Sequence, residues 1–150
     1  MKVSVDKDDG LTLKRDYDPS IPEIYGDEDL FIQAILNIVK NAQQALSLTN
    51  NPAITIKSRV SYSQPINGNL HSTICDVSII DNGPGIPTDI QEQVFFPMVS
   101  SKEDGSGLGL SISQDIIRIH GGAISFKTKS GETAFTIQIP IKLNSGAQSA

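Results

Sequence analysis

Basic runs are missing from this sequence. Its 150 residues carry 12 lysines and arginines against 17 aspartates and glutamates, a formal net charge of −5. That balance excludes a surface built to neutralise a phosphate backbone, so nucleic acid is not expected as a partner. Long apolar runs are missing too: nothing approaches the roughly 18 consecutive apolar residues of a membrane span, and the opening MKVSVDKDDG is charged rather than signal-like. No membrane partner is expected. Cysteine occurs once, at Cys75, so no internal disulfide can form, which fits a reducing, cytoplasmic setting. What is present suffices for a fold. At 38% apolar residues, a chain of this length makes one domain that buries roughly two thirds of its unfolded surface.

The pattern along the chain predicts a tail over residues 1–10, a domain over 11–141 and a polar tail over 142–150. LTLKRDYD (11–18) alternates as a strand does, and the prolines of PSIPEIYGD force a loop after it. Asp27 is placed to cap a helix running from Leu30 to Leu48, with apolar residues at Ala34, Ile35, Ile38, Val39, Ala42, Ala45 and Leu46. Two β-rich runs, Ala53 to Ser63 and Leu70 to Asp81, flank the turn-forming QPINGN and predict a hairpin. A short helix is expected over Thr88 to Val94, a mobile lid over Pro97 to Ser106, and a second long helix from Leu108 to His120, closed by Gly121 and Gly122. Two alternating strands around Ser130-Gly131 complete the chain. This order predicts an α+β fold: a two-layer α/β sandwich with one mixed sheet and its helices on one face.

Three stretches stand out chemically. Asn37 and Asn41 lie one turn apart at the edge of the first helix's apolar arc, with Gln33 a turn before and Lys40 on the same polar side. Asparagine is a mediocre helix former, so the pair reads either as an ordinary solvated face or as neutral oxygen ligands for Mg²⁺. Asp81 stands where an apolar strand stops, with Gly83 and Gly85 close behind. DNGPG reads as a turn, or as a carboxylate that accepts from an exocyclic amine, with glycines leaving room for a flat ring. Finally, Gly105, Gly107 and Gly109 precede the second helix. They form a hinge, or a helix start whose free N–H groups hold phosphates. The dinucleotide fingerprint is excluded because Leu110 stands where its third glycine belongs, and the Gly-Lys-Ser/Thr of a P-loop is absent. Lys102 is either a partner for a terminal phosphate or a solvated lysine.

Taken in order, NIVKNA, DNGPGIP, FFPMVSSK and GSGLGLSI resemble the asparagine, first glycine, phenylalanine and second glycine boxes of the catalytic domain of sensor histidine kinases. KRDYDPSIPEI and NIVKNAQQAL are similar to the nitrogen-regulation branch of that family. The resemblance covers about Leu11 to Ile141 and implies a Bergerat-type ATP fold shared with gyrase-like and chaperone ATPases. It implies that Asn41, helped by Asn37, coordinates Mg²⁺ and that Asp81 binds the adenine amine. Gly83 and Gly85 would shape the base pocket. Gly105, Ser106, Gly107, Leu108 and Gly109 would line the phosphates of ATP beneath the lid, with Lys40 and Lys102 nearby. Asp104 and Ser106 stand where many relatives have glycine and threonine.

The same resemblance implies partners: a dimerisation domain carrying the phosphoacceptor histidine, a response regulator of the NtrC type, and the PII signal protein. The two histidines here, His71 in NLHST and His120 in IHGG, lack the surroundings of a phosphoacceptor. Rival members of the same fold are a free-standing anti-sigma-factor serine kinase, a chaperone or mismatch-repair ATPase, and an adapter that no longer binds nucleotide. The serine kinases and ATPases put a glutamate where Asn37 stands, able to act as general base. An amide cannot take that proton, so slow hydrolysis is expected.

Overall fold

Asp27 starts the first helix, as its position predicts. It holds an extended backbone (φ −87°, ψ 109°), and its carboxylate accepts the Leu30 N–H at 3.2 Å, satisfying a donor that no helical carbonyl can reach. In the computed structural model, which describes residues 10–24, 26–66, 68–96 and 110–141, this helix, α1, spans Glu28–Ala45 and buries Ala34, Ile35, Ile38, Val39 and Ala42. It ends three residues short of the expected Leu48. The Leu46 N–H is shared between the Ala42 and Gln43 carbonyls, and Asn51 turns the chain at φ 51°. Leu46 therefore folds into the core while Leu48 is left 97% exposed. Apolar periodicity ran on through a turn that the Thr-Asn-Asn-Pro sequence had already imposed.

Five strands form one sheet: β1 (Thr12–Asp16), β2 (Ala53–Ile66), β3 (Asn69–Asp81), β4 (Ala123–Lys129) and β5 (Glu132–Pro140). Their order is β1-β2-β3-β5-β4. β1 runs parallel to β2 because α1 connects them, and the other pairs are antiparallel. The mixed sheet is thus as predicted. β1 is shorter than its alternation suggested. Asp18 keeps a backbone bond to β2, its N–H donating to the Ser58 carbonyl at 3.1 Å, but its carboxylate accepts the Ser20 N–H at 2.9 Å, an aspartate turn that ends the strand. The β2–β3 hairpin is longer than expected, since QPINGN is not a loop: Gln64 pairs with His71, Pro65 with Leu70 and Ile66 with Asn69. Only two positions, an Asn-Gly pair, remain for the connection, which suits a tight hairpin.

Register decides which side chains meet the helices. Ile56, Ile79, Phe135 and Phe126 lie in one rung and Val77, Ile137 and Ile124 in another, and all of them join the core with α1. The second helix, α2 (Ser111–Ile119), adds Ile116 and Ile117. Each fully buried isoleucine of this set contributes about 1.5–3 kcal/mol by leaving water. The expected start of α2 at Leu108 lies outside the described residues. Its end follows expectation: Gly121 adopts φ 78°, and the Gly122 N–H reaches the Ile117 carbonyl at 2.9 Å, a left-handed closure that disfavours any residue with a Cβ.

Two contacts fix α2 against α1. The Ser113 hydroxyl donates to the Ala34 carbonyl at 3.0 Å in the buried interface. His120 Nε2 accepts the Asp27 N–H at 3.1 Å, while Nδ1 lies 2.7 Å from the Ile116 carbonyl and the ring packs on Phe31. His120 is therefore a strut between the two helices. Thr88–Gln93 forms a short 3₁₀ helix where a short helix was expected. Beyond it Val94 is fully buried, and Phe95 stacks among Phe126 and Phe135 with centroids 5.9 and 6.4 Å away. Leu110 is buried beyond residues 97–109, where the expected lid over Pro97 to Ser106 lies outside the described residues. Both roots of that segment are thus anchored in the core. No helix among the described residues is long and apolar enough to cross a membrane.

Candidate functional site

Asp81 closes β3, where strand alternation gives it the same facing as Val77 and Ile79. Its partners in the ladder are Ile54 on one side and Thr133 on the other, so the carboxylate sits at the end of an otherwise apolar inner face. It is 4% exposed. Oδ1 accepts the Gly83 N–H at 2.9 Å, and no cation pairs with it among the described residues. Burial pushes its pKa above the ordinary 3.8, with the Gly83 N–H pulling in the opposite direction.

That shift makes the carboxylate a cost to the empty fold. A raised folded-state pKa means that stability is fully present below the unfolded pKa and is lost as pH rises through the folded one. Asp81→Asn keeps an oxygen for the Gly83 N–H and carries no charge. In thermal melts the variant is expected to melt higher than the parent near pH 7. The gap should shrink toward pH 4, and a gap that grew on acidification would contradict the assignment.

Asp81 opens onto a cavity of about 210 Å³ lined by Asn41, Gln44 and Ala45 of α1, by Gly85 and Ile86, and by Thr133 and Phe135 of β5. One wall is the strap from Asn82 to Pro87, and short-range contacts hold it. The Asn82 side chain accepts the Ala53 N–H at 2.8 Å and donates to the Asn51 carbonyl at 3.0 Å. A Cβ on Gly83 would stand 2.9 Å from Asp81 Oδ1. Gly85 holds φ 91°, and a Cβ there would stand 2.7 Å from the Lys129 carbonyl oxygen. Ile86 is pinned at both ends: its N–H donates to Thr128 Oγ1 at 2.9 Å, and its carbonyl accepts from Gln91 Nε2 at 2.9 Å. Thr128 Oγ1 lies 2.7 Å from Thr133 Oγ1. A flat, thin ligand could lie against this backbone with its polar edge toward Asp81.

Of the residues singled out in the sequence, Asn41, Asp81 and Gly85 share this cavity, and Gly83 supports the carboxylate from behind. Asn37 is half-buried one turn from Asn41 but does not line the wall, and Lys40 is exposed outside it. Lys102, Gly105, Ser106, Gly107, Leu108 and Gly109 lie outside the described residues. Gln44, Ile86, Thr133 and Phe135 line the cavity without having been singled out, and Thr128 and Gln91 brace it. Alternation around Ser130-Gly131 put Thr133 and Phe135 on one face. Only the β3–β5 register puts that face beside Asp81.

Comparison with known proteins places these features in a wider set. Residues 26–143 match the family described as histidine kinase-, DNA gyrase B-, and HSP90-like ATPase. The chain is similar to the sensory histidine kinase/phosphatase NtrB of Vibrio alginolyticus, 47% identical over 139 residues, covering 93% of this chain and 40% of that protein. NtrB of Klebsiella oxytoca is 42% identical over 140 residues, with the same coverage of 93% and 40%. The chain thus spans 40% of the length of these relatives. Among solved structures, the nucleotide-free catalytic domain of histidine kinase ThkA superposes with a TM-score of 0.71 at 29% identity, covering 88% of this chain and 80% of that one. The structure of ThkA in complex with the response regulator TrrA gives 0.67 at 27% identity, covering 89% and 35%.

Proposed function

Because the chain belongs to the family of histidine kinase-, DNA gyrase B- and HSP90-like ATPases, we propose that it is the ATP-binding catalytic module of an NtrB-type sensor histidine kinase. The observation that carries this reading is Asp81: a buried carboxylate with no cation partner among the described residues, facing a cavity floored by glycine backbone. Such a group accepts strongly from a neutral amine. The 6-amino group of adenine supplies one. In this reading the carboxylate takes the amine through Oδ2, since Oδ1 is held by Gly83. Gly85 and Ile86 form the floor under the ring, and Phe135 closes the inner end.

The donor set also suits magnesium held together with phosphates. No group of three or more histidines, cysteines, aspartates or glutamates clusters among the described residues, which therefore build no all-protein cage. Asn41 offers a neutral carboxamide oxygen on the cavity wall, with Asn37 one turn away, and a divalent ion held mainly by substrate phosphates needs few more ligands. When bound, magnesium supplies charge neutralisation at the phosphates. Asn41 anchors the phosphate end of the site, and Asn37, an amide, cannot abstract a proton from water. In this reading the lid expected over Pro97 to Ser106 would cover the phosphates, with Lys102 toward the terminal one and Gly105, Gly107 and Gly109 giving close backbone approach.

The terminal phosphate then passes to a histidine on a separate dimerisation domain. The downstream partner is a response regulator of the NtrC type, and PII acts on the kinase through the lid. Similarity to NtrB and to ThkA, which is solved in complex with the response regulator TrrA, supports a response regulator as partner. Mixing the chain with an NtrB-type dimerisation domain and γ-labelled ATP is expected to leave acid-labile label on that domain. The chain alone should turn over ATP only slowly. Rapid steady hydrolysis by the isolated chain, or no label on the partner, would contradict the proposal.

A further inference from the structure

The hydroxyl pair of Thr128 and Thr133 lies outside the residues that the sequence singled out, and it adjoins the carboxylate. Thr133 is 3% exposed and is the ladder partner of Asp81, which puts the two side chains roughly 5 Å apart at Cβ on the same face. Thr128, on β4, is the partner of Thr133 on its other side, in the same rung. Its Oγ1 accepts the Ile86 N–H at 2.9 Å and lies 2.7 Å from Thr133 Oγ1.

We propose that Thr128 is a positioning residue for base discrimination: by accepting from Ile86 and donating to Thr133, it leaves the Thr133 proton to be donated into the cavity beside Asp81. The inference rests on the adenine-nucleotide reading above and assigns how the site tells one purine from another. Either hydroxyl of the pair can be the donor, and an amide N–H donating to Thr128 strengthens it as a donor, which favours the direction from Ile86 through Thr128 to Thr133. The cavity then presents an acceptor, the Asp81 carboxylate, beside a donor, the Thr133 hydroxyl. Adenine is complementary, with an amine donor at position 6 beside an acceptor nitrogen at position 1. Guanine reverses both groups, presenting an acceptor oxygen to the carboxylate and an N–H to a committed donor. Rejection by mismatched buried polar groups is the stronger form of selectivity.

Thr128 also ties the strap to the sheet, so its loss could act by loosening the fold alone. The substitutions Thr128→Val and Thr128→Ser separate the two roles. In calorimetric titrations of the 150-residue chain with Mg-ATP and Mg-GTP, Thr128→Val is expected to lower ATP affinity about 5- to 20-fold and to narrow the ATP-over-GTP preference by a similar factor. Thr128→Ser should restore both. Equal losses for ATP and GTP would show a merely structural role and overturn the inference, as would an unchanged preference in Thr128→Val. Asp81→Ala serves as the control. Were the parent to bind neither nucleotide, or Asp81→Ala to bind ATP as well as the parent, the nucleotide reading itself would fall, and this inference with it.

Discussion

Replacing Asp81 by alanine is expected to weaken Mg-ATP binding roughly 30- to 150-fold, the equivalent of about 2–3 kcal/mol for a lost charge-assisted hydrogen bond in a buried site. The side chain is 4% exposed and lines the cavity, so water has little room to substitute for the missing acceptor. Because the proposed contact is to the base, ATP and ADP should lose affinity by the same factor. Unequal losses would place Asp81 at the phosphates instead. The fold should survive: the carboxylate that is removed is one whose burial raises its pKa, so its ionised form works against the empty domain at neutral pH. A melting temperature within a few degrees of the parent, with nucleotide affinity collapsed, is the expected combination. Titration calorimetry and thermal denaturation on the same preparations test it.

The second large effect is expected from Gly85→Ala, and its cause can be isolated by a companion substitution. Gly85 and Gly131 have nearly the same positive φ, 91° and 89°. At either position a Cβ in the left-handed region costs about 1–2 kcal/mol. At Gly131 nothing lies within 4 Å of the added carbon, whereas at Gly85 the Lys129 carbonyl oxygen stands 2.7 Å away and Thr128 Oγ1 3.3 Å away. The strap must therefore move, and Gly85 and Ile86 line the cavity. Gly131→Ala is expected to lower the melting temperature by about 2–8 °C at the 2–4 °C per kcal/mol typical of a domain this size, leaving ATP binding unchanged. Gly85→Ala should melt lower still and bind ATP at least tenfold more weakly. Equal behaviour of the two variants would mean that the strap is not held against the β4–β5 turn as described.

The sequence carried the fold further than it carried the site, for a physical reason. Periodicity is local, so α1, the strand pairs and the closure of α2 at Gly121 could all be read from neighbouring residues. The errors arose where one local signal overran another. Leu48 extended the apolar pattern past a turn, and the Gln-Pro-Ile-Asn-Gly-Asn stretch looked like a loop although two residues sufficed to reverse the chain. At the site, Asn41, Asp81 and Gly85 were visible because each departs from what its element needs. Amides on an amphipathic helix, a carboxylate at an apolar strand end and paired glycines all ask for an explanation. Thr128, Thr133 and Gln91 were not visible, because a threonine in a strand and a glutamine in a 3₁₀ turn cost nothing locally. The role of the two threonines depends on register, Asp81 against Thr133 and Thr133 against Thr128, and register is a tertiary fact.

Asn37 and Lys40 mark a different boundary. Helical spacing placed both near Asn41, and the helix does so, yet only Asn41 reaches the cavity wall. Spacing fixes an angular position on the helix and not the distance to a ligand on the far side.

The most direct test of the account removes the group that Asp81 is said to read. Titrating the chain with Mg-ATP and with the purine riboside triphosphate that lacks the 6-amino group, in the parent and in Asp81→Ala, completes a four-way comparison. The account predicts that the parent prefers ATP by at least tenfold and that this preference vanishes in the variant. An equal affinity of the parent for both nucleotides, or a preference that survives the loss of Asp81, would contradict it.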